Sequence, residues 1–194
     1  RCGGTAVPLS TMDELTRIAH SGGLSVHLDG ARIFNAATQL KTTVKALCAG
    51  FDSVSACLSK GLGAPAGTVL VGEKQFIARA KRARKILGGA MRQAGILAAA
   101  GLYALENNVE RLAEDHRNAE RLASGLKDLR LAVEQHTNMV FTRLSDADVQ
   151  PLFQHLRKEG IAVLPGPRMR LVTHLDADAA GIERALSAFR AYFG

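Results

Sequence analysis

Long apolar runs, clustered cysteines and aromatic residues are what this sequence has least of. Aromatics make up 5% of the 194 residues and tryptophan is absent. A basic surface without aromatic platforms is poorly equipped to stack nucleic-acid bases, so no nucleic-acid partner is expected. No apolar run approaches the roughly 20 residues of a membrane helix, so no membrane partner is expected either. The longest candidate, Ala94 to Leu105, is short and rich in small residues, which predicts a buried helix. Cysteine occurs three times, at Cys2, Cys48 and Cys57, with wide spacing and no CxxC or Cys/His zinc pattern. These read as reduced, small buried hydrophobes, with no metal site and a cytoplasmic setting. The chain opens on Arg1-Cys2-Gly3-Gly4-Thr5, without an initiator Met or a basic-then-apolar leader. That start looks like the middle of a longer chain.

What is present is ordinary globular composition, with 47% apolar and 22% charged residues. The length suits one domain, or a large and a small lobe. The formal net charge is +7, and much of the excess lies between Lys74 and Arg92. Such a cluster fits an anionic cofactor or a subunit interface as well as it fits nucleic acid.

Ser10 to Glu14 resembles a helix start with Ser10 as N-cap, and the helix stops at Gly22-Gly23. Leu24 to Leu28 predicts a buried strand ending at Asp29-Gly30, followed by a short helix over Ala31 to Ala37. Thr43 to Cys48 is expected to be helical. Ser53 to Leu58 and Thr68 to Val71 are expected strands, and the step between them is too short for a crossover helix, so they are antiparallel neighbours. This alternation predicts an α/β layer of largely buried strands. From Glu73 the chain turns helical and basic. Helices are expected from Met91 to Leu105 and from Asn108 to Leu126, as a connector. The remainder predicts strands at Leu131 to Val133, Met139 to Arg143, Ile161 to Leu164 and Met169 to Thr173, and helices at Asp146 to Lys158 and Asp178 to Phe193. The expected division is 1–106 and 107–194.

Lys60 follows an apolar strand and is flanked by Gly61 and Gly63. A lysine amine forms Schiff bases with aldehydes, and glycine lets a planar group approach. Many Ser-Lys-Gly triplets are plain surface loops. Asp29 ends the other candidate strand, where ligands of α/β sheets sit. There a carboxylate can hold a protonated ring nitrogen, or cap the next helix. Arg32 could pair with Asp29 on the surface or bind a carboxylate. Arg170 could grip a substrate carboxylate, or could simply occupy a solvated strand face with Arg168. His27 and His174 read as structural histidines.

His27-Leu28-Asp29-Gly30-Ala31-Arg32-Ile33-Phe34-Asn35-Ala36 and Leu58-Ser59-Lys60-Gly61-Leu62-Gly63 resemble the threonine aldolase family. Gly88-Gly89-Ala90-Met91-Arg92-Gln93-Ala94-Gly95 and Arg170-Leu171-Val172-Thr173-His174-Leu175-Asp176 are similar to later blocks of it, in the same order. The resemblance implies an α/β fold: part of a fold-type-I (aspartate aminotransferase-like) large domain that binds pyridoxal 5′-phosphate, followed by a small α+β C-terminal domain. It implies cleavage of L-threonine or L-allo-threonine to glycine and acetaldehyde, in a homo-oligomer built as a dimer of dimers.

Carried over residue by residue, Lys60 is the Schiff-base lysine and Asp29 the partner of the pyridine nitrogen. Arg32 and Arg170 hold the substrate carboxylate or nearby cofactor oxygens. Lys85 and Arg92 match basic residues that approach the cofactor phosphate or the site from an adjacent subunit. One departure stands out. The family's glycine-rich phosphate cradle and its ring-stacking histidine precede these blocks and are not in this sequence, which implies a missing N-terminal segment. Other fold-type-I enzymes, serine hydroxymethyltransferase-like or β-eliminating, share the Asp and Lys pair, and a non-catalytic fragment is a further alternative.

Overall fold

The computed structural model describes residues 3–194, so the expectation for Cys2 lies outside the described residues. The chain forms two compact units. One spans Val7–Leu112, and the other joins residues 3–6 to Ala113–Gly194.

The first unit contains helix α1 (Leu9–Ser21), strand β1 (His27–Gly30), α2 (Ile33–Leu40), α3 (Val44–Cys48), β2 (Ser53–Cys57), β3 (Thr68–Gly72), α4 (Lys74–Ile86) and α5 (Gly95–Asn107). The sheet order is β1-β2-β3. β1 and β2 are parallel, with Asp29 opposite Ser55, and β2 and β3 are antiparallel as expected. Leu47 and Ile33 are 1% and 4% exposed and pack with Ala37 and Val54 under the sheet. Each such aliphatic side chain contributes about 1.5–3 kcal/mol by leaving water. Thr43 caps α3, accepting a hydrogen bond from the Ala46 N–H at 3.1 Å. α4 closes with a left-handed glycine. Gly88 has φ +80°, its N–H donates to Lys85 O, and the Gly89 N–H donates to Arg84 O. That pair of bonds satisfies carbonyls of the last turn.

Several boundaries differ from expectation. α1 begins at Leu9 after Pro8, so Ser10 is not its N-cap. β1 begins only at His27, and Leu24 is exposed on the turn before it. α5 begins at Gly95 rather than Met91. It is also not a buried helix, since only Gly101 and Ala104 are buried along it. Two of the expected buried strands are largely open: β1 is buried only at Gly30, and in β3 Val69, Leu70 and Val71 all face solvent to a large extent.

The second unit contains most of α6 (Leu112–Asp128), then β4 (Ala132–His136), β5 (Met139–Arg143), α7 (Asp146–Lys158), β6 (Arg168–Val172) and α8 (Ala179–Phe193). Its antiparallel sheet has the order β4-β5-β6. Leu126, Val140, Leu152, Leu156, Met169 and Leu186 are fully buried between the sheet and the helices. Ser145 and Asp178 cap α7 and α8 through backbone N–H groups three residues on. The expected strand at Ile161 to Leu164 does not form. Ile161 and Val163 pack on the core with strand-like alternation, but this segment has no ladder partner among the described residues.

Candidate functional site

The site is built where β1 and β2 end. Parallel strands deliver their carboxyl ends to one edge of a sheet, and loops leaving that edge collect chemistry-bearing side chains. Asp29 is the penultimate residue of β1, and Lys60 lies three residues beyond the end of β2. Both side chains are exposed.

The loop that carries Lys60 is pinned on both sides of it. Leu58 and Leu62 are 9% and 1% exposed and sink into a cluster with Ala64, Ala104 and Leu112. The Asn108 side chain donates to Leu62 O at 2.8 Å. The Gly63 N–H donates to Lys60 O at 2.9 Å, and Gly63 takes φ +72°. With both leucines buried, Ser59 and Lys60 are left facing outward. Gly61 is buried in the same turn, and a Cβ there would lie 2.8 Å from Asn35 Oδ1 and 3.0 Å from a Leu112 methyl. Only glycine lets the chain pass this close to Asn35.

Asp29 is not the N-cap of α2. Its Oδ1 accepts a hydrogen bond from the Ala31 N–H at 3.2 Å, and the residue that precedes the helix is Arg32. Asp29 therefore shapes a turn with one carboxylate oxygen. Gly30 follows it, and a Cβ there would come within 2.7 Å of Ser55 O. Glycine at 30 is thus required for β1 to lie against β2 at the point where Asp29 emerges. Arg32 is half-buried between β1 and α2.

Lys85 lies in the last turn of α4, exposed, and Arg92 lies in the exposed irregular segment between α4 and α5. Around them Ile86, Leu87, Met91 and Ile96 are also exposed, at 73, 85, 65 and 86%. Arg170 belongs to the second unit. It sits on β6 directly opposite Phe141, on the sheet face away from the core, and is exposed. The structure thus brings Asp29 and Lys60 to neighbouring strand ends within one unit, with Arg32 two residues beyond β1.

His27 and His174 have structural partners. The His27 ring shares a hydrogen bond with Ser53 Oγ at 2.9 Å, and His174 Nδ1 accepts from the Asp176 N–H at 3.2 Å. Cys48 and Cys57 are free thiols, and burial pushes Cys48 up from its ordinary pKa. Among the described residues there is no group of three metal-ligating side chains, and no helix long and apolar enough to cross a membrane.

Sequence reasoning passed over two features. Asn35, 2% exposed beside Gly61, is a polar residue on the inward face of α2, and a buried asparagine within an apolar period is a signal of that kind. Glu134 on β4 was also missed. Its pairing with Arg168 joins residues 34 apart in the chain, which no local pattern displays.

An exposed primary amine and an exposed carboxylate at adjacent strand ends, with basic side chains elsewhere for a phosphate, fit a cofactor that pairs an aldehyde with a protonatable ring nitrogen. The family model "Beta-eliminating lyase" matches residues 1–147. The low specificity L-threonine aldolase of Escherichia coli O157:H7 is 42% identical over 190 residues, covering 97% of this chain and 57% of that protein. The low-specificity L-threonine aldolase 1 of Arabidopsis thaliana is 40% identical, covering 97% of this chain and 55% of its own length. The solved threonine aldolase of Leishmania major superposes with a TM-score of 0.82 at 17% identity, over 100% of this chain and 59% of that one. At that identity it shows the shared fold. The chain therefore spans a little over half the length of the curated relatives it matches. With the family model matched along three-quarters of its length, this chain is a member of the β-eliminating lyase family.

Proposed function

We propose that the chain carries the cofactor lysine of a pyridoxal 5′-phosphate-dependent carbon–carbon lyase that cleaves L-threonine or L-allo-threonine to glycine and acetaldehyde. The observation that carries this reading is the placement of Lys60 and Asp29 at the carboxyl ends of adjacent parallel strands. The relatives' names supply the substrate.

In this reading Lys60 would hold the cofactor through its aldehyde, with the exposed amine that the pinned turn presents. Asp29 keeps a proton on the ring nitrogen with the carboxylate oxygen that its turn leaves available. Arg32 and Arg170 are each candidates for the substrate carboxylate, since each offers the planar fork that grips two oxygens. Bound there, the cofactor supplies a sink for the electron pair left when the Cα–Cβ bond breaks. The reaction balances with one base, which would take the β-hydroxyl proton as the Cβ fragment becomes acetaldehyde, and one acid, which would return a proton to Cα to give glycine.

Lys85 and Arg92 are the phosphate ligands offered to a neighbouring subunit in a dimer of dimers. The exposed Ile86, Leu87, Met91 and Ile96 around them support an interface at this place, because apolar groups this open on one segment mark contact surfaces.

The test is product analysis with pyridoxal phosphate added and threonine, serine and a β-eliminating substrate offered in turn. Glycine together with acetaldehyde from threonine is the expected result. Products of β-elimination, or no glycine from any β-hydroxy amino acid, would defeat the aldolase reading.

A further inference from the structure

The outer face of the second unit's sheet is strongly basic. Pairing across the antiparallel ladder puts Ala132, Arg143 and Arg168 in one row and Glu134, Phe141 and Arg170 in the next. His136, Met139 and Val172 form the third row. Glu134 is thus the one carboxylate that these strands contribute to a face with three guanidinium groups.

Its geometry commits it to one of them. Arg168 Nη2 donates to Glu134 Oε2 at 2.9 Å, and the Arg168 guanidinium lies 4.5 Å from the centre of the Phe141 ring. The ion pair thus runs diagonally across the sheet and places Arg168 over Phe141. Arg170 stands at the far end of Glu134's own row, two strand spacings or about 10 Å away, with Phe141 between them. Arg170 makes no ion pair among the described residues, whereas Arg168 is held by both a charge and a ring.

Arg168 and Arg170 share a strand face, with Cα atoms about 6–7 Å apart. Two free forks at that spacing would suit the two carboxylates of a short dicarboxylic acid. We propose that Glu134 is a specificity-determining residue: by holding Arg168 against Phe141 it leaves Arg170 to receive a single carboxylate, and so disfavours amino acids that carry a second one. This is selection by withholding a contact from the wrong ligand. It rests on the reading of Arg170 as the substrate-carboxylate ligand.

L-Alanine and L-aspartate differ by one carboxylate, and their binding to the pyridoxal phosphate-loaded protein can be measured by titration calorimetry. Glu134 is about half exposed, so Glu134→Gln removes the charge at nearly constant volume. The exchange is expected to improve aspartate relative to alanine by roughly three- to tenfold, since an exposed ion pair and a ring contact are each modest. Adding Arg168→Ala to Glu134→Gln is expected to cancel that gain. A gain that survives Arg168→Ala would assign the effect to the general charge of the face, Arg143 included, and overturn the inference. If Arg170→Ala weakens alanine while Glu134→Gln leaves the ratio unchanged, the inference alone is overturned. If Arg170→Ala leaves alanine binding as it was, the carboxylate reading of Arg170 fails and takes this inference with it.

Discussion

At the residue scale, glycines and a pair of leucines decide what Lys60 can do. A lysine on a free loop explores many rotamers, whereas this one projects from a turn whose neighbours are buried at Leu58 and Leu62. Gly61→Ala forces a methyl to within about 3 Å of Asn35 and Leu112. Overpacking of that kind costs about 1–3 kcal/mol. A lower urea midpoint together with weaker cofactor retention is expected, and a variant with unchanged midpoint would show that the turn yields freely. Gly30→Ala meets backbone at Ser55 O, which cannot rotate away, so it should destabilise the β1–β2 pairing by a similar amount of about 1–3 kcal/mol. The placement of Asp29 and Lys60 just past apolar strands was visible in the sequence, because an Asp-Gly and a Lys-Gly after apolar runs are local signals. The Glu134 to Arg168 pairing was not, because strand register creates it.

Elements were legible where their ends are chemically marked. α7 runs from Asp146 to Lys158 as expected, since Ser145 caps it and Gly160, with φ +75°, follows its end. β5 was likewise found in place. Ile161 to Leu164 alternates as a strand does, yet a strand needs a hydrogen-bonded neighbour, and periodicity cannot supply one. α5 failed for the opposite reason. Its apolar composition suggests burial, but what covers a helix is not written in the helix.

Two substitutions test the elements directly. Lys41 ends α2 in the left-handed region at φ 50°. Lys41→Gly should therefore raise stability by about 0.5–1 kcal/mol, the gain from relieving a side chain at that backbone angle less glycine's entropy. A fall in thermal midpoint would contradict that. Thr142 is 1% exposed on the core side of β5, and its hydroxyl has no hydrogen-bond partner. Thr142→Val should leave stability unchanged or raise it by about 1 kcal/mol, because an orphaned buried hydroxyl is costly. Marked destabilisation in a denaturant titration would mean that the hydroxyl is satisfied.

For the whole molecule, acid should act through buried and paired groups. His116 is 7% exposed, and burial lowers its pKa, against the raising influence of Asp115 and Glu120. The fold therefore prefers neutral His116. Its contribution is fully present above the ordinary histidine range of about 6.5 and declines as pH falls below it. Asp52 acts in the same direction at lower pH. The Val26 N–H and the His20 ring hold its carboxyl below the usual range, so its contribution is lost as pH falls through the aspartate region. His116→Phe should flatten the first of these slopes in urea titrations run at successive pH values, and an unchanged slope would assign it elsewhere.

The α/β character was legible from alternating elements, whereas the exposed edge at β3 and the open apolar segment around Met91 concern surfaces, on which a single chain's pattern is silent. The central claim is that Lys60 bonds the cofactor. Mass spectrometry after borohydride reduction of the pyridoxal phosphate-treated protein tests it most directly. One phosphopyridoxyl group on Lys60, absent from Lys60→Ala, is the expected result, and label on other lysines with Lys60 unmodified would overturn the assignment.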